Sequence, residues 1–388
     1  MNIKNNLFKQ RYWLLFLIKK IFSLWRKPLN KQQTITLLSK HIVNQHQSHA
    51  IKSSSYQSII SGDDRSQLNL NVLKRNFNDN FISFEPDYVW KISQNEDKLK
   101  LQICSSGHPL INNKLILDLD YGTIGALKDL PVKFRQYNCE LAIAPWSHNF
   151  GGYYAFLLLI MTKLCRIEAV FGRDIWNRAK ICYPLLHTSY EQQYLQKLGI
   201  SEEVLVDTRQ LWTKIKPKNL ILANNQSEIN RISPTDIQLL RQRFLSDRID
   251  SNKRKNRKIF LSRRNRRVLI NEAEVRNLLT EYNFEIIEDT NYTVDEQIDL
   301  FISASVILAV HGAGLSNLVW CAPKTKVIEL FYSGYTKPGF YYLSLVLNLE
   351  YVCLFDKSEA EDNFAHQYFN LEIDLQLLRQ LLDKVLSI

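Results

Sequence analysis

Val310-His311-Gly312-Ala313-Gly314-Leu315-Ser316-Asn317 is the stretch on which the reading of the fold turns. Before it, residues 305–310 (SVILAV) form a continuous apolar run that reads as a buried strand. After it, a short amphipathic segment stops at Pro323, and residues 326–331 (KVIELF) read as the next buried strand. A glycine-rich turn that leaves a strand and opens a helix gathers unpaired backbone N–H groups at one point, and the helix dipole adds partial positive charge. A phosphate is the natural guest there. Gly-x-Gly alone also describes an ordinary tight strand-to-helix connection, so the surroundings must decide.

Working outward, residues 259–262 read as a strand. Asn271-x-x-Glu274 is a capping box opening a helix to Tyr282, and residues 284–287 are strand-like. Thr293-x-x-Glu296 is a second capping box, opening a helix to Ser303. Beyond the glycine turn come strand 326–331, a helix near 340–347 and strand 350–354. Strands alternating with short helices specify a parallel, doubly wound α/β sheet. Ligands on such sheets lie outside the carboxyl ends of the strands. Arg263, Arg264, Asp289, His311 and residues 331–333 all fall at such ends. One crevice lined by arginines, a histidine and a glycine turn is expected, which is a nucleotide-phosphate site on physical grounds.

The chain has 388 residues, which makes two domains the natural expectation. Residues 31–80 are polar and read as a lead-in. Residues 81–230 read as an amino-terminal α/β domain holding a buried apolar helix from Tyr153 to Ile167, and 231–388 as the second domain, beginning with a helix near 234–247. Six cysteines (104, 139, 165, 182, 321 and 353) show neither Cys-x-x-Cys pairs nor zinc spacing, so they read as reduced core residues of a cytosol-facing protein. The net charge of +11 implies an anionic partner.

Within residues 1–30, the apolar run 12–18 is broken by Lys19 and Lys20, well short of the roughly 20 residues of a spanning helix. Leu14, Leu17, Ile18, Ile21, Leu24 and Trp25 share one helical face, with lysines and arginine opposite. An amphipathic helix lying on an anionic membrane is one reading, and a helix packed on its own domain the other. Residues 253–267 hold nine Lys or Arg, but the buried strand divides the run and no stacking aromatics accompany it; nucleic acid is therefore not the expected partner. Asp118-x-Asp120 reads as the solvent face of a strand, so no metal site is expected. Glu329 ends an apolar run and could hold ribose hydroxyls or form a local salt bridge.

The series Ile259-Phe260-Leu261-Ser262-Arg263-Arg264, Asn271-Glu272, Phe284-Glu285, Glu296-Gln297, His311 to Asn317, and Pro323-x-Thr325-Lys326-Val327-Ile328-Glu329 resembles the carboxy-terminal half of glycosyltransferase family 61. The resemblance covers about residues 255–335. It implies a GT-B arrangement of two Rossmann-like domains facing a cleft, a UDP-sugar donor, transfer with inversion, and neither cofactor nor essential metal. By it, Arg263 and Arg264 would contact the diphosphate. His311, Gly312, Ala313, Gly314 and Asn317 would hold nucleotide and phosphates, and Glu329 would lie near the ribose or nucleobase. Trp146 to Leu157 resembles the family's Asn-Tyr-Tyr-His-Trp-Leu segment, but Ala155 stands at its histidine, Leu159 at its acid and Lys163 at its arginine. A shifted register offers His148; His311 is the other candidate base. The implied protein is an inverting glycosyltransferase of surface or capsular polysaccharide synthesis, peripheral at the inner membrane face and acting on a polysaccharide or lipid-linked glycan. A catalytically silent relative that keeps nucleotide binding is the alternative.

Overall fold

The computed structural model describes residues 29–46, 51–52, 81–117, 135–147, 151–209, 213–226, 231–246, 248, 256–288, 292–358, 360 and 363–386. The amphipathic segment expected within residues 1–30, Asp118, Asp120, His148 and Asp289 lie outside them. The chain forms two units. The first takes its described residues from 1–48, 85–229 and 235–243, the second from 49–84, 230–234 and 244–388.

Among the described residues, the first unit is built on a nine-stranded mixed sheet. Its parallel part runs Thr213–Ala223, Arg135–Ile143, Lys180–Tyr183, Leu205–Asp207. Antiparallel strands Asp87–Ser93 and Leu101–Ile103 pair with Thr213–Ala223. Residues 31–46 are not the irregular lead-in that their polar composition suggests. Lys31–Leu38 is a helix closed by a capping box of Asn30 and Gln33, and Ile42–His46 adds an edge strand on Asp87–Ser93. The expected apolar helix is present and runs continuously through Tyr153–Ala155, Phe156–Met161 and Thr162–Phe171. Its middle section is a π-helix with all six side chains buried, a rare conformation that often marks functional segments.

The helix Pro234–Leu245 is read from the sequence into the second domain, yet residues 235–243 pack with the first unit. The reason is a buried ion pair. Arg166, wholly buried, donates to both carboxylate oxygens of Asp236 (2.8 and 2.7 Å) and also to Asn224 and the Tyr88 carbonyl. Arg243 adds a bond to Glu168 of 2.9 Å. A buried guanidinium must be fully satisfied, and Asp236 does that only from this unit.

The second unit carries the expected parallel sheet, in the order Glu285–Ile287, Arg257–Leu261, Ala304–Val310, Lys326–Phe331, Glu350–Phe355. In chain order this is 2-1-3-4-5, a doubly wound arrangement that reverses between the first and third strands. Helices Glu272–Glu281, Val294–Ser303 and Gly339–Leu347 connect the strands. Thr293 and Glu296 form the capping box their spacing predicts. Asn271 does not cap: its amide exchanges two hydrogen bonds with the backbone of Ile373, bringing the chain end to the sheet. The following helix, Leu375–Leu386, buries Leu378, Leu381, Leu382 and Val385 in the same core as Phe260, Val275 and Leu308.

Candidate functional site

The reversal of strand order in the second unit opens the sheet edge after Arg257–Leu261 and Ala304–Val310. Arg263 follows the first of these strands and His311-Gly312 the second. The Arg263 guanidinium donates Nη1 to the His311 carbonyl at 2.6 Å. It lies flat against Gly312: a Cβ built there would overlap Nη1 and sit 2.6 Å from Cζ. Gly312 itself has an extended backbone (φ 173°) that any residue adopts. Glycine is needed at this position for the close approach of the arginine, not for backbone freedom. The turn continues into a 3₁₀-helix, Ala313–Trp320, with Gly314 exposed and Ala313 half-buried. Asn317 is buried and shapes the turn: its amide donates to Gln297 (3.0 Å) and accepts from the Trp320 indole (3.2 Å).

Beneath the turn lies a buried polar chain. Glu329 is completely buried; one oxygen meets His311 Nδ1 at 2.6 Å and the other accepts from the Tyr351 hydroxyl at 2.5 Å. Of the two readings its sequence position allows, the structure shows the local pair, with His311. The carboxylate fixes Nδ1 as the donor and leaves Nε2 as the ring's other polar atom. Phe331 stacks on the imidazole at 4.9 Å, with Tyr335 and Phe340 at 5.7 and 5.6 Å, so the ring cannot turn freely.

The arginine run divides differently from the pair picked out by sequence. Arg264 is exposed and bonded to Glu288 (3.0 Å), which also pairs with Arg276 (2.7 Å). Arg267, with a left-handed backbone (φ 53°), turns inward. Its guanidinium lies 5.5 Å from the Tyr335 ring, and its Nη1 donates to the Gln367 carbonyl. Burial lowers its pKa from the usual guanidinium value, while the Tyr335 and Glu329 charges work the other way. Lys337 stands 5.2 Å from the same ring. Among the described residues, Arg263, Arg267 and Lys337 are thus cations that gather about His311 and Tyr335. Only the positive φ at Arg267 marks it, and no sequence pattern reveals that.

Residues 136–328 match the family described as Glycosyltransferase 61. The chain belongs to this family. A stretch of 56 residues is 45% identical to a beta-1,2-xylosyltransferase of Oryza sativa subsp. japonica, covering 14% of this chain and 10% of that protein. The chain therefore aligns with about a tenth of the length of that relative.

The glycosyltransferase 61 match takes in Arg263, Arg267 and the whole His311–Asn317 turn, and also the π-containing helix of the first unit. There, Ala155 and Leu159 are buried. Lys163 is wholly buried, its ammonium bonded to the Trp146 carbonyl and 5.7 Å from that indole ring. None of the three presents a polar group to solvent. Among the described residues, no group of three or more His, Cys, Asp or Glu side chains is placed to hold a metal ion.

Proposed function

We propose that this protein is an inverting glycosyltransferase that moves a sugar from a UDP-sugar to a glycan acceptor. The observation that carries the reading is the Arg263 guanidinium lying on Gly312 at the switch point of the second sheet. A diphosphate laid over that turn would meet the Arg263 guanidinium and the backbone N–H groups at the start of the 3₁₀-helix. Transfer breaks the bond between the anomeric carbon and the diphosphate, and the oxygen that leaves gains negative charge. Arg263, Arg267 and Lys337 are preorganised positive groups that would stabilise it without a metal. His311, oriented by Glu329, would direct Nε2 at the same group. GT-B is the architecture this reading adopts. Surface or capsular polysaccharide is its biological setting, with the basic amino-terminal segment holding the protein at the inner membrane face.

The second reading, a nucleotide-binding relative without turnover, is favoured by one observation: Ala155, Leu159 and Lys163 are buried and offer no base. Thermal unfolding with and without UDP, followed by assay of UDP-sugar hydrolysis, separates the two. Protection with turnover supports the transferase, protection without turnover the silent relative, and no protection refutes both. In the Arg263→Ala variant UDP affinity should fall about ten- to hundredfold, the worth of a charged hydrogen bond. Unchanged protection would remove Arg263 from the site.

A further inference from the structure

The first unit holds a cavity of its own, lined by carboxylates, amides, an imidazole and aliphatic side chains. It measures 770 Å³ and lies at the carboxyl ends of two adjacent parallel strands, Lys180–Tyr183 and Leu205–Asp207. This is the sheet edge where parallel α/β folds place ligands. Its lining includes the aliphatic Leu185, Leu195, Ile200 and Leu205 and the polar His187, Gln192, Gln196 and Asp207. Glu191 and Glu202 also line it, and among the described residues no Lys or Arg does. Beside it, the Arg209 guanidinium donates to the Leu185 carbonyl and pairs with Asp207 at 3.5 Å, so one of the lining carboxylates already has its counter-charge.

One of its lining residues is a histidine held under constraint. His187 adopts a left-handed backbone, φ 56°, which is unfavourable for a residue with a Cβ. Glu191 enforces it, accepting from the backbone N–H of Leu186 (3.0 Å) and of His187 (2.7 Å) as well as from the buried Tyr183 hydroxyl (2.7 Å). The imidazole Nε2 meets Asp207 at 3.0 Å. Asp207 is nearly buried, and its other oxygen takes the Arg209 backbone N–H at 3.0 Å. The imidazole remains 58% exposed, and Nδ1 has no hydrogen-bond partner among the described residues. Backbone strain that serves a buried carboxylate and presents an exposed ring points to function rather than packing. The helix behind the cavity, Ser189–Leu198, is tied to the family-like Gly152-Tyr153 segment: the Tyr153 and Tyr194 hydroxyls are 3.0 Å apart, and Tyr190 meets Tyr153 edge-on at 5.0 Å.

We propose that this cavity is a saccharide subsite, with His187, Asp207 and the Gln192 and Gln196 amides holding hydroxyl groups beside its aliphatic side chains. Amides that both donate and accept, an imidazole and an accepting carboxylate match neighbouring hydroxyls, and the aliphatic patch takes the C–H face of a pyranose. The acceptor sugar is the occupant this implies, a step that rests on the glycosyltransferase reading above.

The test uses the full-length protein and the methyl glycosides of glucose, galactose, mannose and xylose, observed by saturation-transfer NMR. At least one should bind, and His187→Gly should weaken it about ten- to hundredfold while the melting temperature holds or rises, because glycine relieves the left-handed backbone. Gln192→Ala, an exposed change that leaves the turn intact, should weaken the same glycoside. Absence of binding to the wild type, equal binding by the wild type and both variants, or stronger binding of spermidine than of any glycoside would each overturn the proposal. Separate UDP protection measurements keep the two readings apart: glycoside binding without UDP binding refutes the donor site alone, and the converse refutes this one alone.

Discussion

Gly312 is defined by its neighbour. Its backbone is extended, so an alanine there meets no conformational penalty, yet its Cβ would occupy the place of the Arg263 guanidinium. A flexible side chain can swing away at small cost. Gly312→Ala should therefore lower the melting temperature little and still reduce UDP affinity about as much as Arg263→Ala does, measured by thermal shift across a UDP titration. Normal UDP affinity in that variant would show that the arginine serves only to fasten the turn. The cysteines are equally a matter of local environment. All six are free thiols, and burial pushes Cys165 and Cys182 well up and Cys139 to about 11. Thiolate is the reactive form, so Ellman's reagent at neutral pH should report little reaction with the native protein and all six thiols after denaturation.

At the scale of elements, ion pairs decide where helices belong. Arg166→Ala would leave Asp236 buried without its partner and release the helix Pro234–Leu245 from the first unit; about 3–5 kcal/mol of stability should be lost, read by urea denaturation. Joint replacement of Arg166 and Asp236 by apolar residues of similar volume should cost much less. In the second unit, helix and strand ends carry carboxylates held below their ordinary value of 4.5. The Thr293 N–H and hydroxyl hold Glu296 low, and the Arg257 guanidinium holds Glu285 low. A carboxyl depressed on folding contributes stability that is present above its unfolded pKa and lost as pH falls through the folded one. Thermal stability should hold from neutral pH to about 4.5 and decline below it. Glu296→Gln and Glu285→Gln should each flatten that decline. An unchanged acid limb in both variants would assign the loss to other groups.

Across the whole molecule, the sequence by itself determined the second sheet. Runs such as SVILAV and KVIELF exclude water from both faces, and regular helices of about ten residues between such strands leave a parallel, doubly wound order as the way to bury them. It also placed Arg263 and the Gly312 turn at strand ends, because chain direction alone fixes which end is carboxyl. Other features depend on distant residues and could not be read along the chain. Glu329 is a buried support for His311 because Tyr351 and the imidazole converge on it from neighbouring strands. Arg267 rather than Arg264 turns inward because Tyr335 offers a ring and Glu288 holds its neighbour outside. Residues 235–243 join the first unit because a guanidinium seventy positions earlier in the chain needs their carboxylate. The pairing of His187 with Asp207 exists only because two short strands lie side by side. Periodicity along a chain records which face meets water; which polar group answers which is settled only when folding brings their elements together.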